Sequence, residues 1–167
     1  MITNTPSIRE PHIEDLRAAI EHRATWFALL IEEAEKRGLD ISFARDAIFR
    51  CGCFHGDVKF PQTNDLKTFA DAFANENVRK IFEMDPKVDG DTFTISFHYC
   101  PLVAAWKKLN IPAEKIEALC DTAMDGDRGI ISRYGAFSFE LGDTIAKGAR
   151  TCEIRIIKAA GEAAKED

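Results

Sequence analysis

Alternating polar and apolar side chains mark residues 92–99 as a strand. Every second residue in this segment is apolar, namely Phe93, Ile95, Phe97 and Tyr99. A period of two is typical of a strand with one buried face. Beyond Cys100-Pro101 the apolar residues recur instead at helical spacing, at Leu102, Val103, Trp106 and Leu109. The change of period predicts that a strand ends and a helix begins at Cys100.

Helical spacing also predicts a long helix near the start of the chain. This helix begins at Pro11 and ends at Gly38, and its apolar residues fall near one face among many charges. A second helix follows Asp40 or Ser42, either of which can cap it. It is expected to end within residues 51–56, where two glycines would allow the chain to reverse.

Two hairpins complete the predicted elements. Asp89-Gly90 is a strong two-residue turn, which would join a strand near residues 82–88 to the strand that precedes Cys100. Residues 137–141 and 152–156 alternate again and predict a second hairpin. Further helices are expected after Thr63 or Asn64, after Pro101 and after Pro112. The order predicts an α+β fold, with an antiparallel sheet of about four strands covered by helices.

Length and composition indicate a single domain over residues 1–167, with loose tails at residues 1–10 and 159–167. The net charge of −6 argues against nucleic acid as the main partner. No apolar run reaches membrane-spanning length, and the first residues do not resemble a signal peptide. We therefore expect a cytoplasmic protein, and the long first helix could pair in a homodimer.

The five cysteines are expected to be thiols or ligands, because disulfides are rare in a reducing compartment. A thiol at the start of a helix is close to free N–H groups and to the positive end of the helix dipole, so Cys100 is expected to favour the thiolate. Cys51 and Cys53 are too close together for an ordinary zinc knuckle, although His55 could complete part of a ligand set. A plain helix end explains these last three residues better.

Three cysteines lie beside ionisable groups, in the pairs Cys100 with His98, Cys120 with Asp121, and Cys152 with Glu153. The second hairpin can bring Cys152 near Cys100. A thiolate, an imidazole and a carboxylate suffice for nucleophilic attack with acid–base assistance. A metal site with the ligands Cys100, Cys120, Cys152 and His98 is the alternative, with a divalent metal as cofactor. Each cysteine taken alone also fits a core position, since free cysteine is often buried.

The C-terminal half resembles the L-2-amino-thiazoline-4-carboxylic acid hydrolase family. The resemblance rests on three motifs in order: Tyr99-Cys100-Pro101, then Leu119-Cys120-Asp121, then a Gly-x-x-x-Cys-acidic-apolar-Arg segment at residues 148–155. It implies a hydrolase whose small-molecule substrate is a sulfur–nitrogen heterocycle that the enzyme opens. No cofactor is predicted, although a divalent metal is possible. The implied catalytic residues are Cys100, Cys120, Asp121, Cys152 and His98. Arg155 and Tyr99 are the implied substrate-binding residues. A non-enzymatic domain that binds a small ligand or a metal is the alternative function.

Overall fold

A computed structural model describes residues 1–159 of the chain. Its helices are α1 (Pro11–Glu35), α2 (Ser42–Val58), α3 (Leu66–Phe73), α4 (Glu76–Phe82), α5 (Pro101–Lys108), α6 (Ala113–Ala123), α7 (Asp125–Ile131) and a short 3₁₀ helix at Ile145–Lys147. Its strands are β1 (Met84–Asp89), β2 (Thr92–Phe97), β3 (Phe137–Leu141) and β4 (Cys152–Lys158). Within this part of the chain no helix is both long and apolar enough to span a bilayer.

The four strands form one antiparallel sheet in the order β1-β2-β4-β3. This arrangement confirms the predicted α+β fold, the two hairpins and the long N-terminal helix. Phe93 and Ile95 of β2 lie opposite Ile156 and Ile154 of β4, and all four side chains are buried. They pack against an aromatic cluster from α3 and the end of α7. A second core, centred on Trp106, joins α1, α5 and α6.

Helix α2 corrects the expected chain reversal at residues 51–56, because it runs without a break to Val58. Its two glycines serve helix packing and not a turn. A Cβ atom added to Gly52 would lie 2.1 Å from the carbonyl oxygen of Gly126 in α7, and one added to Gly129 would lie 2.2 Å from that of Phe49. The backbones of α2 and α7 therefore touch, as only glycine allows.

The strand expected near residues 82–88 begins two residues later, at Met84. Helix α4 takes up the preceding segment, because the Asn75 side chain caps it by accepting a hydrogen bond of 3.2 Å from the Val78 N–H. Glu83, with φ of 51°, then turns the chain from α4 into β1. The cap and the left-handed residue together explain the shorter strand.

Residues 1–10 were expected to be loose, but the structure places them against the body of the protein. The Asn4 side chain donates a hydrogen bond of 2.9 Å to the Cys100 carbonyl oxygen and accepts one of 2.9 Å from the Cys100 N–H. The N–H groups of Ser7 and Ile8 donate to the Glu83 carboxylate. Such pairing leaves no periodic pattern in the sequence. Apart from Ala159, the predicted loose tail at 159–167 lies outside the described residues.

Candidate functional site

A cavity of about 270 Å³ lies where the sheet meets the helices, between the two cores. Its volume is just below the range for drug-sized small-molecule sites, which is roughly 300–1,000 Å³. Most of the wall is apolar, with aromatic or aliphatic side chains from Phe60, Phe73, Val78, Phe82, Met84, Phe97, Leu102, Trp106, Ala123, Met124, Ile130 and Ile154. The remaining wall residues are Arg23, Cys100, Cys120, Asp127, Thr144 and Cys152.

The cavity brings together three cysteines that are distant in the sequence. Cys100 is the N-cap residue of α5, and Cys120 projects from the inner face of α6. Cys152 is the first residue of β4 and pairs with Phe97, the last residue of β2. Because Phe97 lies three residues before Cys100, the register of the β2–β4 pair places Cys152 beside the start of α5. Sheet pairing therefore gathers the thiols at one end of the sheet.

The environment of Cys100 corrects the expectation that it favours the thiolate. Burial raises the pKa of the Cys100 thiol to about 12, and neighbouring Cys152 adds to the rise. Hydrogen bonds from the N–H groups at the start of α5 act in the opposite direction, but they are the smaller influence. Burial also raises the pKa of Cys120 and of Cys152. All three cavity cysteines are therefore neutral thiols at physiological pH.

Asp127 supplies a carboxyl group to the cavity. Burial raises its pKa to about 6, although the positive charges of Arg23 and Arg128 work against the rise. Asp127 lies two residues after Asp125 on α7, which is about 200° around the helix, so the two side chains face opposite ways. The two carboxyl groups are close together in the sequence, but the helix turns only that of Asp127 toward the cavity.

Asp121, expected to be catalytic, lies in an ion-pair network outside the cavity wall. It pairs with Arg45 of α2 and with Arg128 of α7, and both arginines also pair with Asp125. Burial would raise the pKa of Asp121, but hydrogen bonds from the two arginines outweigh it and lower the pKa. The network joins α2, α6 and α7, so it sets the position of the helix that carries Asp127.

His98, expected beside the cysteines, lies on another surface of the protein. Its Nε2 atom is 2.7 Å from a carboxylate oxygen of Asp85 on β1, and both side chains are exposed. His98 follows Phe97 in the strand direction, so the two side chains point to opposite sides. Within residues 1–159, no group of three or more His, Cys, Asp or Glu residues is arranged to hold a metal ion.

The two residues expected to bind substrate also lie away from the cavity. Tyr99 packs under the Arg17 guanidinium, whose carbon lies 4.5 Å from the ring centroid, and its hydroxyl donates to Glu21. Arg155 is exposed on the outer face of β4, where it pairs with Glu153 at 2.5 Å. Strand alternation explains this position, since its neighbours Ile154 and Ile156 fill the buried face.

Cys51, Cys53 and His55 all lie within α2 and do not line the cavity. Cys51 is exposed, and the Cys53 sulfur lies 3.5 Å from the Ser132 hydroxyl. The Nδ1 atom of His55 is buried without a hydrogen-bond partner, and burial lowers the pKa of this imidazole. The three side chains are not gathered around a common point.

Comparison with known proteins agrees with the fold and with the motifs. The family model described as L-2-amino-thiazoline-4-carboxylic acid hydrolase matches residues 17–156, a range that includes every cavity residue. The fold is similar to that of a crystal structure of trafficking protein particle complex subunit 3 from Naegleria fowleri, covalently bound to palmitic acid. That similarity has a TM-score of 0.55 at 14% identity, over 84% of this chain and 95% of the other. No curated protein matches the sequence.

Proposed function

The chain belongs to the L-2-amino-thiazoline-4-carboxylic acid hydrolase family, and from that premise we propose that its cavity binds and hydrolyses a small cyclic amidine that carries a carboxylate. The observation that carries the proposal is the wall of the cavity. One carboxyl group and three thiols line a small apolar space inside the range that the family model matches. A five-membered heterocycle suits a cavity of about 270 Å³.

Asp127 is the proposed acid–base group. The ring carbon between nitrogen and sulfur in an aminothiazoline is electrophilic. As water attacks this carbon in the protonated amidine, a carbon–oxygen bond forms, the carbon–nitrogen π bond opens onto its nitrogen, and the Asp127 carboxylate takes one proton from the water. The ring then opens as the carbon's bond to the ring nitrogen or sulfur breaks and that atom takes the proton from Asp127. The new hydroxyl group loses its remaining proton to solvent and becomes the carbonyl of the product. A pKa of about 6 suits both steps near neutral pH.

Water, and not a Cys100 thiolate, is the proposed nucleophile, because burial raises the pKa of the Cys100 thiol and keeps it protonated at neutral pH. We therefore assign Cys100, Cys120 and Cys152 to shaping the cavity and to donating weak hydrogen bonds to the heterocycle.

The test is turnover of 2-amino-thiazoline-4-carboxylate by the purified protein, followed as loss of the heterocycle by chromatography. Because Asp127 must be ionised to accept a proton, kcat/KM should rise as the pH passes about 6. Asp127→Asn should lower kcat by roughly 10²–10⁴-fold and remove that rise. Asp46→Asn, an identical change on the exposed face of α2, is the matched control and should keep full activity.

Two results would count against the hydrolase. The first is full activity in Asp127→Asn with an unchanged pH profile, which would remove the proposed base. The second is no turnover of this thiazoline or of related cyclic amidine carboxylates by the unmodified protein. Circular dichroism of each variant checks that the fold is intact.

A second candidate is a non-enzymatic role in which the cavity holds an apolar chain. The observation that favours it is the aromatic part of the cavity wall, to which Phe60, Phe73, Phe82 and Phe97 contribute. The structural neighbour of similar fold is described as covalently bound to palmitic acid. In this role a cavity cysteine would take the acyl chain from an acyl thioester, whose sulfur leaves with the cysteine's proton, and would carry the chain as a new thioester. Intact-mass measurement before and after treatment with neutral hydroxylamine, which cleaves thioesters, would reveal such an adduct.

A further inference from the structure

Arg23 of α1 brings a cation to the cavity that sequence motifs did not indicate. Its side chain lines the cavity, yet the residue is exposed, so it lies at the mouth where the wall meets solvent. The other polar groups of the wall are the carboxyl of Asp127, the hydroxyl of Thr144 and the thiols. The cavity therefore has one positive group at its mouth and one acidic group in its wall.

The guanidinium of Arg23 has no ion-pair partner among residues 1–159. Arg17, Arg45 and Arg128 each form ion pairs with carboxylates. Within residues 1–159, Arg23 forms no such pair and no side-chain hydrogen bond. Its positive charge still acts on the cavity, because it lowers the pKa of Asp127 and so favours the ionised carboxylate. A planar group with five N–H donors is thus available to a ligand at the mouth.

We propose that Arg23 binds the carboxylate of the ligand, whose body extends inward between the cysteines toward Asp127. The proposal rests on the cavity being the ligand site, as in the proposed function. Arg23 takes the role that the sequence resemblance gave to Arg155, which instead pairs with Glu153 on the outer face of the sheet. The carboxylate can belong to a small heterocyclic acid or to an aliphatic acid, because both present the same anion with an apolar body.

Equilibrium binding to matched pairs of probes tests the proposal without requiring turnover. The first pair is 2-aminothiazole-4-carboxylate, an aromatic analogue that resists ring opening, and its uncharged carboxamide. The second pair is decanoate and decanol, which represents an aliphatic source. Calorimetry should show that the unmodified protein binds the acid of at least one pair more tightly than its neutral partner. The pair that shows this preference tells whether the carboxylate comes from a heterocyclic or an aliphatic acid.

Arg23→Gln should weaken binding of the preferred acid by roughly 10- to 100-fold and leave the neutral partner within about twofold, because it removes a charge-assisted hydrogen bond that only the acid can accept. Arg23→Lys should recover part of the loss. Arg50→Gln removes an exposed arginine of α2 that does not line the cavity, and it should bind like the unmodified protein.

An unchanged preference for the acid in Arg23→Gln would overturn the proposal, and so would equal binding of acid and neutral partner by the unmodified protein. These outcomes are separate from those of the hydrolase test. If Arg23 selects the acid but no cyclic amidine is hydrolysed, the carboxylate site stands and the hydrolase fails. If hydrolysis occurs with the same KM in Arg23→Gln, the hydrolase stands and the carboxylate site fails.

Discussion

The contact between α2 and α7 leads to a sharp prediction about stability. Gly129→Ala adds one methyl group at the point where the two helices touch. That Cβ atom would lie 2.2 Å from the Phe49 carbonyl oxygen, 3.0 Å from the Cys53 nitrogen and 3.0 Å from the Gly52 Cα atom. All three are backbone atoms, so no flexible side chain can move aside. The helices must separate by about 1 Å to restore ordinary contact distances.

Two opposing terms set the magnitude of the effect. Overpacking of a close contact costs typically 1–3 kcal/mol, and backbone-to-backbone overlap lies at the upper end of that range. Replacement of glycine by alanine within a helix returns roughly 1 kcal/mol. The expected net loss is about 2 kcal/mol in the free energy of unfolding. For a chain of this size it corresponds to a fall of about 4–8 °C in Tm.

Urea unfolding followed by circular dichroism measures the change, and the same helix offers the control. Gly126→Ala would place its Cβ atom 3.6 Å from Cγ2 of Ile48, an ordinary contact. That variant should be as stable as the unmodified protein or up to 1 kcal/mol more stable. If Gly129→Ala and Gly126→Ala unfold at the same urea concentration, the two helix backbones do not touch as described and the reasoning is refuted.

Two further predictions follow from buried groups. Arg17→Met should lower the free energy of unfolding, measured in urea, by about 3–5 kcal/mol, because it leaves the buried Glu83 carboxylate without its cation. Adding Glu83→Gln to this variant should recover part of the loss. A loss below about 1 kcal/mol in Arg17→Met would contradict the buried ion pair. In the folded protein, iodoacetamide should label exposed Cys51 far faster than Cys100 at pH 7. Because the Cys100 thiol has a pKa of about 12, its labelling rate should increase about tenfold per pH unit between pH 7 and 9. Mass spectrometry of peptides measures both rates, and equal labelling at pH 7 would contradict the raised pKa of Cys100.

Structural features that depend only on neighbouring residues were predictable from the sequence. The change of period at Cys100 and the Asp89-Gly90 turn each depend on a few adjacent residues, and the structure has both features. The gathering of Cys100 and Cys152 depends on which strands pair. The two alternating segments made that pairing plausible, but only the β2–β4 register shows which end of β4 meets α5.

Features that arise between distant segments were not predictable in the same way. The residues around Gly52 in the sequence do not show whether this glycine ends a helix or packs against another helix. Only its contact with α7 in the structure shows that it packs. The sequence indicated Asp121 because it adjoins Cys120. In the structure, the arginines of two other helices hold Asp121, whereas Asp127 lines the cavity. Arg23 was missed for the same reason, since nothing near it in sequence suggests a site.

The pairing of Asn4 with Cys100 makes the candidate site sensitive to chemical ageing of the protein. Deamidation of Asn4 would turn its side-chain amide into a carboxylate, so the group that donates to the Cys100 carbonyl oxygen would become an acceptor. Two acceptors would then face each other, and the start of α5 would lose one of the two bonds that tie it to the first residues of the chain. Protein in which Asn4 has lost its amide would carry one more negative charge, and we expect it to hold the start of α5 less firmly and to bind ligands less well.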